Sequence, residues 1–131
     1  MTEDPPAILV VEDDGEVRDT ICSILSETGF RVETAATAWE AIAVLDEKPF
    51  DLIVADIRLP GGLNGLQMAQ HARNRHPTLK CLFISGQGEP IVCNPELDDF
   101  VSKPFRRSEL VGSVWKVLRG NLPYPRLDIA R

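Results

Sequence analysis

Three short apolar runs with no charged residue inside them constrain this chain more than any other feature: Ile8-Leu9-Val10-Val11, Leu52-Ile53-Val54-Ala55 and Cys81-Leu82-Phe83-Ile84. Runs of this length, bounded by polar residues, fit strands covered on both faces, which belong to parallel sheets flanked by helices. Each run leads directly into polar chemistry. Glu12-Asp13-Asp14 follows the first, Asp56 the second and Ser85 the third. In open sheets of this kind, ligands bind beyond the carboxyl ends of the strands, where the strand order reverses. The carboxylates therefore lie where a site is expected. Crowded carboxylates raise one another's pKa unless a cation neutralises them. An all-oxygen donor set favours a hard divalent ion, and Mg2+ is the expected one.

Between these runs, strand and helix patterns alternate five times. Val17, Ile21, Ile24, Leu25 and Thr28 recur at helical spacing, with Gly29 as terminator. A strand-like segment runs from Phe30 to Ala35. Thr37 and Glu40 then form a capping-box pattern ahead of Ala41, Ile42, Val44 and Leu45, and Pro49 blocks further helix. After a Pro60-Gly61-Gly62 turn, Asn64 is a candidate cap for a helix that carries Leu66, Met68 and Ala69 as far as His76-Pro77. The stretch from Gly86 to Asp99 is rich in glycine and proline. It is expected to be irregular, with at most a short fourth helix starting at Asn94-Pro95. A strand at Phe100-Val101-Ser102 ends at Lys103-Pro104. The last helix, with Ser108 as its expected cap, places Leu110, Val114, Val117 and Leu118 on one face before Gly120. Five such pairs imply a doubly wound α/β sheet with right-handed crossovers and helices on both faces.

Charge and length remove several classes of function. At 131 residues the chain has room for one ordinary domain. This divides into an extension over 1–6, the domain itself over 7–120 and a tail over 121–131. The net charge of -6, with no basic stripe, argues against nucleic acid or an anionic membrane as partner. No apolar run reaches membrane-spanning length, and the acidic, proline-containing start is unlike a signal peptide, so the expected location is the cytoplasm. Cys22, Cys81 and Cys93 have neither paired nor metal-ligand spacing, which suits a reducing compartment.

Taken in order, Glu12-Asp13, Asp56 followed by Pro60, Ser85 after an apolar strand, and Lys103-Pro104-Phe105 before the final helix make the chain resemble the receiver domain of bacterial two-component response regulators. The likeness covers roughly residues 7 to 119. It implies a flavodoxin-like five-stranded parallel sheet in the order 2-1-3-4-5. By resemblance, Asp56 accepts a phosphoryl group from a phosphohistidine of a histidine kinase or phosphotransfer protein. A carboxylate ionised at neutral pH can form such an acyl phosphate. Asp13 would ligate Mg2+ directly, Glu12 through a water, and the main-chain carbonyl of Arg58 would complete the protein's share. Asp14 would start the helix, although a register slip of one residue would exchange it with Asp13. Lys103 would contact the phosphoryl group, through a Lys103-Pro104 bond that is cis in the family. Ser85 would move to hydrogen-bond the phosphoryl oxygens, and Phe100 would follow it inward as the switch aromatic, without the hydroxyl of the tyrosine often found there. Arg58 and Gln87 would govern the lifetime of the phosphoryl group, with slow hydrolysis expected.

Two departures bear on output. The turn from Pro60 to Gly65 has about one residue more than the commonest receiver form. The shortened fourth helix puts the standard receiver dimer in doubt. The expectation is a stand-alone receiver that signals to an unknown downstream protein by phosphorylation-dependent contact, or serves as a phosphoryl relay or sink; the sequence does not distinguish it from a receiver cut from a larger hybrid protein. A small Mg2+-dependent phosphohydrolase with an aspartyl nucleophile is the alternative. That class carries a second acid two residues after the nucleophile, where this chain has Arg58. A flavin-binding module would need a hydroxyl- and glycine-rich phosphate loop after the first strand, where three carboxylates stand.

Overall fold

A computed structural model describes residues 4–86 and 94–120. Five strands, β1 (Ala7–Val11), β2 (Arg31–Ala35), β3 (Leu52–Asp56), β4 (Cys81–Ser85) and β5 (Asp98–Ser102), form one sheet in the order β2-β1-β3-β4-β5, with every pairing parallel. Four helices complete the described fold: α1 (Gly15–Thr28), α2 (Ala38–Glu47), α3 (Gly65–Ala72) and α4 (Arg107–Arg119). The three apolar runs are β1, β3 and β4, buried at every position. Their side chains alternate between two cores. Ile8, Val10, Leu52, Val54, Leu82 and Ile84 pack with Ile21, Leu25, Leu110 and Val114 of α1 and α4. Leu9, Val11, Ile53, Ala55, Cys81 and Phe83 pack with Ala41, Leu45, Met68 and Ala72 of α2 and α3. A run covered from both sides needs no polar alternation, which is why these strands read as continuous hydrophobics.

Local signals set most helix ends. The Asp14 carboxylate accepts the amides of Glu16 and Val17, which satisfies donors that the first turn of α1 would otherwise leave open. Gly29 ends the same helix in the left-handed conformation at φ 111°. Thr37 caps α2, and Asn64 and Gln67 cap α3 reciprocally.

Several boundaries differ from those read in the sequence. β2 begins at Arg31, and Phe30 is instead a buried member of the α1–α4 core. α3 ends at Ala72 rather than at His76. There the Arg73 side chain turns away to the Leu79 carbonyl and the Asp98 carboxylate, and tighter turns follow. β5 begins two residues before Phe100, because Asp98 is paired and its strand-weakening charge is thereby absorbed. α4 is entered at Arg106 rather than capped by Ser108, with the Glu109 carboxylate accepting the Arg106 amide at 2.7 Å.

The helix expected at Asn94-Pro95 is a single turn. Leu97 and Asp98 both donate to the Asn94 carbonyl, at 3.0 and 2.8 Å, and the chain passes directly into β5. Gln87 and the rest of 87–93, with Met1 to Glu3 and the tail over 121–131, lie outside the described residues.

Candidate functional site

β1 and β3 are adjacent at the middle of the sheet, so their carboxyl ends bring the acidic residues together. Glu12 continues the line of β1, donating its amide to the Ala35 carbonyl at 3.0 Å, and its side chain is drawn inward to 2% exposure. Asp56, the last residue of β3, is 5% exposed. Asp13 is exposed on the loop above them. Carboxylate oxygens of Glu12, Asp13 and Asp56 all lie within 4.8 Å of one another. Asp14 is turned the other way, its carboxylate accepting the Glu16 and Val17 amides at the helix start.

One wall of the site is positive. The Lys103 ammonium lies 2.8 Å from Asp56 Oδ2, and the Arg58 main-chain amide donates to Asp56 Oδ1 at 2.9 Å. Lys103 is positioned from the strand beside Ser85: its amide donates to the Ser85 carbonyl at 2.8 Å, and the Lys103–Pro104 peptide is cis. Ser85 is buried at the end of β4, whose Ile84 is in register with Asp56. Asp56, Ser85 and Lys103 thus occupy the ends of three neighbouring strands.

The charges are not fully balanced. Burial pushes the Glu12 carboxyl up from 4.5 to about 7, helped by the nearby Asp56 and opposed by the Asp14 amide and by Lys103. Glu12 Oε2 accepts the Asp14 amide, whereas Oε1 is buried with no hydrogen-bond partner. A buried acceptor without a donor costs about 1–3 kcal/mol. Three converging carboxylates, one with an unsatisfied oxygen, form a donor set that a hard divalent cation fits.

Other residues stand further out. Arg58 is exposed. Phe100 points outward from the edge strand at 45% exposure, beside Pro104, Ser108 and Lys116. Phe100 is thus outside the core in this structure, in the position from which an inward movement would begin. Two residues at the site escape sequence reasoning. Arg18 donates through Nη1 to the Glu12 carbonyl at 2.9 Å, holding the loop that carries Asp13. Trp39 donates through Nε1 to the Gly61 carbonyl at 3.2 Å. Arg18, six residues after Glu12 and one turn into α1, had a weak positional signal, whereas Trp39 and Gly61 are 22 residues apart and had none.

Comparison with known proteins gives a consistent pattern. The family model of the response regulator receiver domain matches residues 8–114. The phosphate regulon transcriptional regulatory protein PhoB of Escherichia coli is 36% identical over 118 residues, which are 86% of this chain and 51% of PhoB. The first curated relatives are matched over between 23% and 51% of their own length. Among solved structures, NtrX from Brucella abortus is 30% identical with a TM-score of 0.76, over 88% of this chain and 27% of that one. A CheY-like response regulator receiver protein from Methanospirillum hungatei is 27% identical with a TM-score of 0.75, over 88% of this chain and 94% of that one.

Proposed function

Because the chain belongs to the response regulator receiver domain family, we propose that Asp56 is its phosphoacceptor and that a histidine kinase or phosphotransfer protein is the donor. The observation that carries this reading is the buried Asp56 carboxylate, held between the Lys103 ammonium and the unsatisfied Glu12. In the proposed step a carboxylate oxygen of Asp56 attacks the phosphorus of a phosphohistidine. The new O–P bond forms as the N–P bond breaks, and the imidazole nitrogen leaves with the bonding electron pair. The two hydrogen bonds to Asp56 aim the carboxylate, and the low exposure of the strand end limits access of water to the acyl phosphate.

Glu12, Asp13, Asp56 and the Arg58 carbonyl are the proposed holders of Mg2+, which when bound offsets charge on the phosphoryl oxygens. Lys103 is the fixed positive charge on the opposite side, and its compact ammonium suits a narrow space. Ser85 is the proposed hydroxyl donor to the phosphoryl group. Phe100 starts from the outward position, so its part in the switch is a change in packing at the β5 edge. Among the described residues, the single turn at 95–97 that leads straight into β5 favours output by contact with a downstream protein over the standard receiver dimer. Arg58 is proposed to shield the acyl phosphate from in-line water, giving a long-lived signal. Gln87 is proposed to share that role on the evidence of the sequence alone.

The test is transfer from a panel of phosphorylated histidine kinases, with acid-labile phosphate mapped along the chain. Label on Asp56, dependent on Mg2+, supports the reading. Label on another residue, or no transfer from any donor or from acetyl phosphate, overturns it.

A further inference from the structure

Trp39 is the largest exposed apolar side chain described, at 50% exposure, yet its ring has a partner on each of two elements. It stands in the first turn of α2. Its Nε1 donates to the Gly61 carbonyl in the β3–α3 loop at 3.2 Å, and a Cβ at Gly62 would lie 3.9 Å from the same nitrogen. The His71 ring of α3 meets it edge-on, with centroids 5.3 Å apart at 75°. Resting on the receiver reading above, we propose that Trp39 is a positioning residue for the Asp56 site, which it acts on by anchoring the tip of the loop that carries Arg58.

The loop is held at both ends. Its start is fixed where the Arg58 amide donates to Asp56 and the Ile57 amide to the Ile84 carbonyl, at 2.9 and 3.0 Å. Its end is fixed where the Gly65 amide donates to the Ile57 carbonyl at 2.7 Å. Between these points come two successive glycines at φ 91° and 103°, a turn that no side chain stiffens. Extra length and glycine both enlarge the range of conformations the loop can visit. Trp39 supplies a rigid plane and a donor at that point, and His71 fixes the plane from α3. A tip held in place holds the Arg58 peptide, whose amide orients Asp56 and whose carbonyl is a proposed Mg2+ ligand. The bond from Trp39 therefore bears on cation affinity without contact with the cation.

The experiment uses the full chain. In Trp115→Phe, Trp39 is the remaining tryptophan of the two in the sequence, so its emission reports on the loop. Mg2+ is titrated while Trp39 emission and the amide shifts of Asp13, Asp56 and Arg58 are followed. The expected result is a saturable change in both with one midpoint. In the otherwise native chain, Trp39→Phe keeps an aromatic ring, though a smaller one, and deletes the donor. It is expected to weaken Mg2+ by about threefold, as read from the amide shifts, with little change in Tm. Flat emission while the amide shifts saturate overturns the coupling and leaves the receiver reading standing. An unchanged midpoint in Trp39→Phe does the same. Absence of any Mg2+ response in both probes together overturns the metal site itself, and this inference with it.

Discussion

Two carboxylates of this protein are each 5% exposed and each paired with a base, yet they lie at opposite ends of the sheet in opposite conditions. Asp98, at the start of β5, receives both terminal nitrogens of the Arg73 guanidinium together with the Asn94 amide at 2.9 Å. Arg73 places further donors on the Leu79 carbonyl at 3.1 and 2.7 Å. Asp56, at the end of β3, has one ammonium and one amide, and beside it Glu12 keeps an oxygen with no donor. A planar guanidinium that uses its whole fork makes a closed structural clamp. A compact ammonium facing three carboxylates leaves charge uncompensated. Burial and pairing alone do not separate the two carboxylates; an unmet need for positive charge does.

The largest effect that separates the two pairs is chemical. Asp56→Asn, nearly isosteric and without a nucleophilic carboxylate, is expected to abolish phosphoryl uptake while the circular dichroism spectrum stays native. Acid-labile phosphate persisting in that variant would move the acceptor elsewhere. Next in size is the clamp. Arg73→Ala leaves Asp98 buried without its partner and is expected to cost about 3–5 kcal/mol in denaturant unfolding. Its folded fraction, held below the lowered Tm, should still take phosphate at Asp56. A variant as stable as wild type would reduce the clamp to a surface contact, and a stable variant unable to take phosphate would erase the division between the pairs.

A smaller change sharpens the contrast within the site. Glu12→Gln removes a buried charge whose oxygen has no donor, so in metal-free buffer it is expected to stabilise the fold by about 1 kcal/mol. The same change should weaken Mg2+ by about tenfold, since groups that support a ligand set usually matter by that factor. Loss of stability together with unchanged Mg2+ affinity would show Glu12 to be a structural residue like Asp98. The smallest effect belongs to Arg58. Arg58→Ala is expected to speed loss of phosphate from Asp56 by roughly threefold, the scale of one lost hydrogen bond. An unchanged rate after a pulse of phosphodonor would remove the shielding role.

The sequence shows the site's ingredients better than its supports. β1, β3 and β4 are legible because a strand buried on both faces has no polar alternation to confuse the reading, and the acids that follow them are fixed by chain continuity. Asp14, Gly29, Thr37 and Asn64 are legible because capping is local chemistry. The clamp is not. Arg73 lies at a helix end, where lysine and arginine are ordinary, and Asp98 is 25 residues away, so the residue that shortens α3 and starts β5 becomes visible only in three dimensions. The outward position of Phe100 is not legible for a related reason: hydrophobic character alone does not say which side chain of an edge strand is covered. Ser108 has a capping side chain, yet the helix opens two residues earlier, where the Arg106 amide donates to the Glu109 carboxylate.

The position of Lys103 has a consequence for how the protein is made. The three carboxylates belong to the first 56 residues, but the ammonium that faces Asp56 arrives 47 residues later, on a strand that joins the sheet at its far edge. A nascent chain emerging from the ribosome can hold the acidic cluster before it holds the counter-charge. The Lys103 amide is fixed to the Ser85 carbonyl, so the ammonium reaches its place when β5 docks on β4. A chain that ends before β5 thus carries the like charges without the ammonium that faces them, and the proposed acceptor site is complete only when the sheet is.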